Sequence, residues 1–262
     1  MNKVISIIIL MLTLLVSCNN SQNTEKSEIN TNDNVTNNNE TAETNKKMMV
    51  GIYVYDYPFG YLNNGQIGGF DYDLMNEIAK EAGLKIDFID MKFEELMPAL
   101  YSEQIDIIIA GMTVTEERNK LVTFSKKYYH STQTILVNQN NTNINSFNDL
   151  VGKHVGVISS TIGDSYLSKI QGINLERFDT GSTALLALKV EKLDAVVFDK
   201  VTCEHYAKND ESIKLIEDPT YPIEHYAIAV RKNDNELIDK INEGLDKIMA
   251  NGTYQALISK YF

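Results

Sequence analysis

An arginine lies shortly after an apolar run in the middle of the chain. Residues 105–110 are predominantly apolar, which predicts a strand that is buried on both faces. Thr115 suits the N-cap of a helix, so Arg118 would lie in the first turn, where the helix dipole disfavours a cation. A guanidinium there invites an anionic partner, and its planar fork matches a carboxylate in bidentate fashion. Alternatively, Arg118 is a surface residue that pairs with Glu116 or Glu117.

A second apolar run, later in the chain, ends at a carboxylate, Asp199. Residues 185–199 repeat the apolar pattern of residues 97–111. Gly111 and Asp199 therefore end equivalent strands, and open α/β sheets bind ligands beyond the carboxyl ends of their strands. Asp199 is accordingly a candidate partner for a cation. Alternatively, it is only the N-cap of the following helix.

Little in the chain predicts metal or covalent chemistry. No glycine-rich segment has the form of a phosphate-binding loop, and Ser165 lacks the glycines of a hydrolase nucleophile elbow. Cys203 and His205 are two residues apart in a predicted helix and do not face each other, so we expect a buried thiol. The histidines have no metal-ligand spacing: His130, His154, His205 and His225. We predict no metal, no cofactor and no catalytic residue.

The composition is that of an acidic globular protein. The 262 residues include 36 Asp and Glu against 24 Lys and Arg, which gives a formal charge of −12, and 43% are hydrophobic. We predict no nucleic-acid partner, because phosphate binding needs a surplus of cations. The length is typical of one or two domains with enough core to fold without disulfides.

The N-terminus has the pattern of an export signal. The apolar residues 4–16 form a run shorter than the roughly 20 residues that cross a bilayer. We interpret residues 1–17 as a signal peptide, and Leu15-Val16-Ser17-Cys18 as a signal that attaches lipid, such as palmitate, to Cys18. Residues 18–47 are rich in Asn and Thr and predict a disordered tether to the membrane.

The rest of the chain predicts an α/β protein with two similar lobes. Apolar runs of strand length alternate with amphipathic helical stretches in both halves. We assign residues 48–130 and 226–262 to lobe 1, and residues 131–225 to lobe 2. The chain then crosses between the lobes twice, near 130–137 and near 221–227, and two crossings form a hinge.

Five stretches of this body resemble one known family. They are residues 69–79, which read Gly-Phe-Asp-Tyr-Asp-Leu-Met-Asn-Glu-Ile-Ala, and residues 110–118, 193–199, 251–254 and 260–262. Together they make residues 48–262 similar to bacterial solute-binding protein family 3, the extracytoplasmic receptors of polar amino-acid ABC transporters. The resemblance implies a two-lobed periplasmic-binding-protein-like fold of type II, with two mainly parallel sheets, flanking helices and a two-crossing hinge.

The resemblance also implies how an amino acid would be held. Arg118 would bind the α-carboxylate, helped by the hydroxyl and amide of Thr113 and by backbone amides at Thr161 and Ile162. Asp199 and the carbonyl of Gly111 would bind the α-ammonium. An arginine from one lobe and an aspartate from the other would then form a clamp that closes when both ends are filled.

The resemblance implies two aromatic walls around the ligand side chain. Phe93 matches one aromatic wall of the family's pocket. The position of the other wall is occupied by Asp56. Either Tyr57 takes that role through a shift of one residue, which favours a general polar amino-acid receptor of the glutamine class, or Asp56 faces the pocket and favours arginine or lysine.

The sequence thus predicts a non-enzymatic, monomeric receptor that delivers a polar L-amino acid to an ABC transporter permease. It would be exported and anchored by lipid, in the periplasm or at the outer face of the cytoplasmic membrane. The alternative is a cleft enzyme of the cyclohexadienyl dehydratase type on the same fold. Such an enzyme needs an acid and a base in the cleft, for which Asp199 and a neighbouring histidine would be the first candidates.

Overall fold

The computed structural model describes residues 47–262. The predicted signal peptide 1–17, the predicted lipidation site Cys18 and the predicted tether 18–47, apart from Lys47, lie outside the described residues. Within the described part of the chain, no helix is both long enough and apolar enough to cross a membrane.

A first sheet contains five strands. They are β1 Met48–Ile52, β4 Ile86–Asp90, β5 Ile107–Ile108, β6 Val122–Ser131 and β12 Glu224–Arg231. Their spatial order is β4-β1-β5-β12-β6. The predicted strand 105–110 is shorter than expected, although backbone hydrogen bonds to β1 continue on both sides of it, from Asp106 to Met49 and from Ile109 to Gly51.

A second sheet also contains five strands. They are β7 Gln133–Asn138, β8 His154–Ile158, β9 Asn174–Phe178, β10 Ala195–Asp199 and β11 Ile213–Ile216. Their order is β11-β7-β10-β8-β9. A separate hairpin is formed by β2 Tyr61–Asn63 and β3 Gln66–Gly68.

Both sheets are mixed, with two parallel and two antiparallel pairings each. The α/β prediction is confirmed, whereas the expectation of mainly parallel sheets needs correction. The antiparallel pairings all involve β7 or β12, the strands with which the chain enters each sheet after crossing from the other. Each of these two strands enters its sheet directly from the other lobe, without an intervening helix. It therefore runs antiparallel to its neighbours.

Helices cover the sheets. They are α1 Phe70–Ala82, α2 Phe93–Tyr101, α3 Glu116–Asn119, α4 Ile162–Leu167, α5 Gly181–Lys189, α6 Lys200–Asn209, α7 Asn235–Ala250 and α8 Thr253–Tyr261. The periodicity predicts a helix from residue 73, but α1 begins at Phe70. Its first amides donate to carbonyl groups of residues 58 and 59, and Gly69 turns the chain at a φ of 125°. Gly83, in the left-handed conformation, ends it.

The two crossings between the sheets lie side by side. Thr132 alone separates β6 from β7, and residues 217–223 connect β11 to β12. The pair Glu224 and Ser131 joins the two crossings at the end of the β6–β12 ladder. We call the first sheet with its helices the first lobe, and the second sheet with its helices the second lobe.

Candidate ligand-binding site

A cavity lies between the two lobes, where β1 and β5 of the first sheet and β8 and β10 of the second end. Open α/β sheets bind ligands at such strand ends. Its lining includes eight residues singled out in the sequence: Asp56, Phe93, Gly111, Thr113, Arg118, Thr161, Ile162 and Asp199. It also includes five that were not: Tyr53, Ala110, Gln133, Ile158 and Phe198. The roles of these residues toward a ligand remain predictions.

Arg118 points into this cavity from the first lobe. Thr115 caps α3 as predicted, since its hydroxyl accepts a hydrogen bond from the Arg118 amide at 3.1 Å. The guanidinium donates to the carbonyl of Thr113 (2.9 Å) and to that of Ser160 in the second lobe (3.0 Å). It also lies 5.4 Å from the centroid of the Phe93 ring. No carboxylate of residues 47–262 forms an ion pair with Arg118, so the alternative of a surface pair with its acidic neighbours is wrong.

Three further residues surround the Arg118 end of the cavity. The Thr113 hydroxyl donates to Glu224 Oε2 at 3.1 Å, so its hydrogen is engaged within the protein. Thr161 is the N-cap residue of α4, and its own hydroxyl donates to the Ile158 carbonyl at 2.8 Å. Ile162 is the first residue of α4, and an amide at that position has no acceptor inside the helix. The Arg118 guanidinium and the amide dipoles at the start of α4 therefore both favour an anion at this end of the cavity.

Asp199 and Gly111 form the opposite end. Asp199 occupies the N-cap position of α6, but its side chain makes no capping hydrogen bond, so a purely capping role is wrong. Its Oδ1 instead accepts from Gln133 Nε2 at 2.6 Å. Gly111 has a φ of 56°, in the left-handed region that favours glycine. Its N–H donates to Oδ2 of the buried Asp71 at 2.7 Å, which fixes the loop after β5.

Asp56 also belongs to this end of the cavity. Its N–H donates to the Gly60 carbonyl at 3.1 Å, and the Gly60 N–H donates back at 3.0 Å, which closes a tight loop. A Cβ atom on Gly60 would collide with the Tyr53 carbonyl, so the loop requires glycine there. The Thr202 hydroxyl of α6 donates to Asp56 Oδ1 across the lobes. The loop thus presents a carboxylate where the family resemblance leads one to expect an aromatic ring.

Two aromatic rings of the first lobe line the cavity, but Tyr57 is not one of them. Phe93 meets Tyr53 edge to face, with ring centroids 6.2 Å apart. The Tyr53 hydroxyl reaches the Asp179 carbonyl of the second lobe at 2.8 Å. Tyr57 is 42% exposed and lies outside the cavity, with its ring 4.0 Å from that of His205. The suggested shift of one residue does not occur, because the tight loop at Asp56 turns Tyr57 outward.

The carboxyl groups of the site are buried together. Burial, then repulsion from Asp199, raises the pKa of Asp56. Burial likewise raises the pKa of Asp199, against the opposing effects of its hydrogen bonds and of Arg118. Behind the cavity, burial and Asp199 raise the pKa of Glu224. The pKa of Arg118 is lowered by burial, although Glu224 and Asp199 oppose this effect. One cation thus faces three carboxyl groups.

The lobes also touch around the mouth of the cavity. Lys92 in the first lobe pairs with Asp179 in the second at 2.7 Å. The Ser159 hydroxyl of the second lobe donates to Glu94 of the first. Together with the contacts of Arg118, Tyr53 and Asp56, these bonds hold the two lobes against each other, so the conformation is closed.

Cys203 lies in the core, as expected. Its thiol donates to the carbonyls of Thr134 (3.6 Å) and Phe198 (3.7 Å), and burial raises its pKa well above the usual value. His205 stacks on Tyr57 instead of approaching the thiol. Within the described part of the chain, no three His, Cys, Asp or Glu side chains form a group that could hold a metal ion.

Sequence reasoning missed Tyr53, Gln133 and Glu224. Tyr53 directly follows β1. Because ligands bind beyond the carboxyl ends of strands in open α/β sheets, its position in the sequence could have identified it. Gln133 begins β7, just before the apolar residues 135–137, and Glu224 begins β12 after the other crossing. A polar residue at the end of a buried strand is a signal, but only the pairing of the strands brings these two together.

Comparison with known proteins places this geometry in a family. The model of bacterial extracellular solute-binding proteins, family 3, matches residues 48–262. The chain belongs to this family. The family-3 chain is 34% identical over 249 residues to a probable histidine-binding protein of Campylobacter jejuni, with 94% of this chain and 93% of the relative covered. It is 36% identical over 230 residues to the arginine-binding extracellular protein ArtP of Bacillus subtilis, with 86% and 89% covered.

A solved structure of the family has the same fold. The arginine-, lysine-, histidine-binding protein ArtJ of Geobacillus stearothermophilus superposes on the family-3 chain with a TM-score of 0.79. The two sequences are 33% identical, and the match covers 83% of this chain and 95% of ArtJ. The two-lobed type II fold predicted from the sequence is therefore confirmed.

Proposed function

We propose that this protein is the substrate-binding receptor of an amino-acid ABC transporter, and that it binds an L-amino acid with a cationic side chain. The observation that carries the proposal is the charge arrangement of the cavity. Arg118 has no ion pair among the described residues and sits at one end, while Asp199 and Asp56 sit at the other. An α-amino acid carries the complementary charges on adjacent groups.

The α-carboxylate is assigned to Arg118, the Thr113 amide and the backbone at Thr161 and Ile162. The guanidinium already points at the cavity, held by two backbone carbonyls, so binding costs little side-chain entropy. The α-ammonium is assigned to Asp199 and the Gly111 carbonyl. Because the two ends combine residues of both lobes, a ligand that fills both stabilises the closed conformation.

Asp56 supports a cationic side chain over a neutral one. A buried carboxylate beside Asp199 is unfavourable unless a positive charge joins the pair. The Phe93 and Tyr53 rings offer π faces that attract a guanidinium, an imidazolium or an ammonium. The names of the relatives support the same class, since they are described as binding histidine, arginine or lysine. Glutamine is the neutral alternative.

The proposal includes delivery of the ligand to a permease, without chemistry on the ligand. It also includes a monomeric receptor, export by residues 1–17, a lipid anchor at Cys18 and a tether up to residue 47, all inferred from the sequence pattern. The lobe boundaries are proposed at residues 130/131 and 225/226, beside the paired crossings.

The enzymatic alternative, a cyclohexadienyl dehydratase, needs an acid–base pair in the cavity. No histidine is among the described residues that line it, and His205, the histidine nearest to Asp199 in sequence, stacks on Tyr57 outside. The named relatives are binding proteins. Both points favour the receptor.

The test is a thermal-shift screen of the purified protein against the twenty amino acids. A ligand at 100 times its Kd stabilises the folded state by about 2.7 kcal/mol, which gives a clear shift. We expect the largest shift with arginine, lysine or histidine, and a smaller one with glutamine. No shift with any amino acid, together with a shift or turnover with prephenate-like acids, would overturn the receptor proposal in favour of the enzyme.

A further inference from the structure

Gln133 is placed beside Asp199 by the pairing of two strands. In the antiparallel ladder of β7 and β10, Gln133 and Asp199 are direct partners at the end of the ladder that faces the cavity. The Gln133 side chain is 3% exposed, and its Nε2 donates to Asp199 Oδ1 at 2.6 Å. The same nitrogen lies 3.4 Å from Glu224 Oε2, to which it donates its second hydrogen.

Glu224 comes from the other crossing and is buried behind the cavity. It is 6% exposed, and its Oε2 accepts hydrogen bonds from both lobes, one from Thr113 and one from Gln133. Tyr221 also interacts with its carboxyl group. Burying a carboxylate is costly to the fold even when it is hydrogen-bonded, so its position between the two crossings calls for a role beyond packing.

These contacts form one chain of hydrogen bonds. It runs from Thr113, close to Arg118, through Glu224 and Gln133 to Asp199. It therefore joins Thr113 of the first lobe, at the Arg118 end of the cavity, to Asp199 of the second lobe, at the opposite end, and it runs beside both crossings. The amide of Gln133 is oriented by two acceptors, which leaves its oxygen facing away from both carboxyl groups.

We propose that Gln133 and Glu224 are positioning residues of the amino-acid site, which hold the Asp199 carboxylate and the Thr113 segment in the geometry that the ligand requires. This inference rests on the proposed receptor function. Gln133 acts on Asp199 by donating to it, which favours the charged form that an ammonium needs. Glu224 acts through Gln133, by fixing the direction in which the amide hydrogens point.

Other groups also surround the carboxyl groups of Asp199 and Glu224. Arg118 of α3 attracts both of them. Asp56 lies at the same end of the cavity as Asp199, and the hydroxyl of Tyr226 approaches Asp199 from β12. Tyr221 lies beside Glu224. A test must therefore separate the hydrogen bonds of the pair from these charges.

Neutral variants of similar shape make that separation. Gln133→Met removes both donors and keeps the volume. Glu224→Gln and Glu224→Met both remove the charge, but only the first keeps an oxygen that accepts from Gln133. Thr134→Val is the matched control, because Thr134 is fully buried next to Gln133 in β7 and its hydroxyl has no partner among the described residues.

Arginine affinity is measured for each variant by titration calorimetry, with melting temperatures to check the fold. A hydrogen bond to a charged group is worth roughly ten- to hundredfold in affinity, so we expect Gln133→Met to bind at least about tenfold more weakly. We expect Glu224→Gln to bind more tightly than Glu224→Met, and Thr134→Val to stay within about twofold of wild type. If Gln133→Met fails to fold, Gln133→Asn, which keeps the amide but shortens its reach, replaces it.

A second readout needs no ligand. The Asp199 carboxyl is titrated by carbon NMR in the unliganded protein, where Gln133→Met should raise its pKa because a donor to the charged form is lost. An unchanged affinity and an unchanged Asp199 titration in Gln133→Met would overturn the role of Gln133. Equal affinities of Glu224→Gln and Glu224→Met would overturn that of Glu224. A wild type that binds no amino acid would overturn the receptor function instead, and the Asp199 titration would still decide whether Gln133 positions that carboxylate.

Discussion

The two ends of the cavity are built differently. At one end a single cation, Arg118, is held by two backbone carbonyls that belong to different lobes. At the other end lie two carboxyl groups, Asp56 and Asp199, where burial and repulsion from Asp199 raise the pKa of Asp56, and Glu224 lies behind them. The site therefore presents more negative than positive charge to a ligand. A zwitterion neutralises only one carboxylate, and a cationic amino acid neutralises two.

At the Arg118 end of the cavity, we expect the substitution Arg118→Lys to cause the largest loss of ligand affinity. An ammonium cannot reproduce the bidentate fork or keep both carbonyl contacts that aim it. Loss of one to two charge-assisted hydrogen bonds predicts that arginine binds about 100-fold more weakly or worse, while the fold is kept. Titration calorimetry measures the affinity and thermal melting the fold.

Arg231→Lys provides the control for this substitution. Arg231 also makes a pair of hydrogen bonds, to the Ile105 carbonyl and to Asp106, but outside the cavity. We expect its variant to lose stability and to keep its ligand affinity. Wild-type affinity in the Arg118→Lys variant would show that Arg118 does not bind the ligand. The assignment of the ligand's α-carboxylate to this end of the cavity would then be wrong.

The other end is tested by Asp56→Asn, which keeps the shape and removes one charge. We expect arginine to bind about 10- to 100-fold more weakly, because a charge-assisted hydrogen bond to the side chain is lost. Glutamine should be nearly unaffected, so the ratio of the two affinities is the decisive quantity. Asp246→Asn, an exposed carboxylate paired with Lys126 at 2.6 Å, controls for net charge. An equal loss for both ligands would mean that Asp56 supports the loop and not the selectivity.

The sequence predicts the places of Arg118 and Asp199 better than that of Asp56. The capped first turn of α3 and the repeat that places Asp199 can both be read from the residue pattern, and the structure brings both residues to the cavity. The choice between Asp56 and Tyr57 depended on a tight loop closed by Gly60 against Tyr53, which no periodicity reveals. The strand order and the mixed sheets were likewise beyond local patterns, because long-range pairing at two crossings decides them. Gln133 and Glu224 meet only through that pairing.

The carboxyl-rich end also predicts a pH dependence. Burial raises the pKa values of Asp56, Asp199 and Glu224, so the unliganded site retains protons at a pH where exposed carboxyl groups have lost them. A cationic ligand favours the ionised forms, and its binding therefore releases protons. Arginine affinity should rise with pH, by at most about tenfold per pH unit for each proton released.

Calorimetry between pH 5 and pH 8, in buffers with different heats of ionisation, counts the released protons directly. Asp56→Asn should lower that count, since one of the titrating groups is gone. Affinity that is flat or falls over this range would mean that the carboxyl groups are already ionised in the unliganded site. Arg118 does not contribute, because a guanidinium keeps its proton throughout the range.

The smallest effect is expected for Tyr57→Ala, which removes the aromatic residue that the cavity leaves out. The Tyr57 ring packs on His205 of α6 and on Tyr61 of β2 and is 42% exposed, so it contributes to the contact between the lobes and to the packing of the hairpin. An exposed aromatic pair is worth about 0.5 kcal/mol, which predicts a two- to threefold loss of affinity at most. Because the ring touches no ligand, the loss should be the same for arginine and glutamine. A changed ratio would show that Tyr57 turns into the site when ligand binds, whereas an unchanged ratio beside the altered one of Asp56→Asn would assign selectivity to the carboxylate.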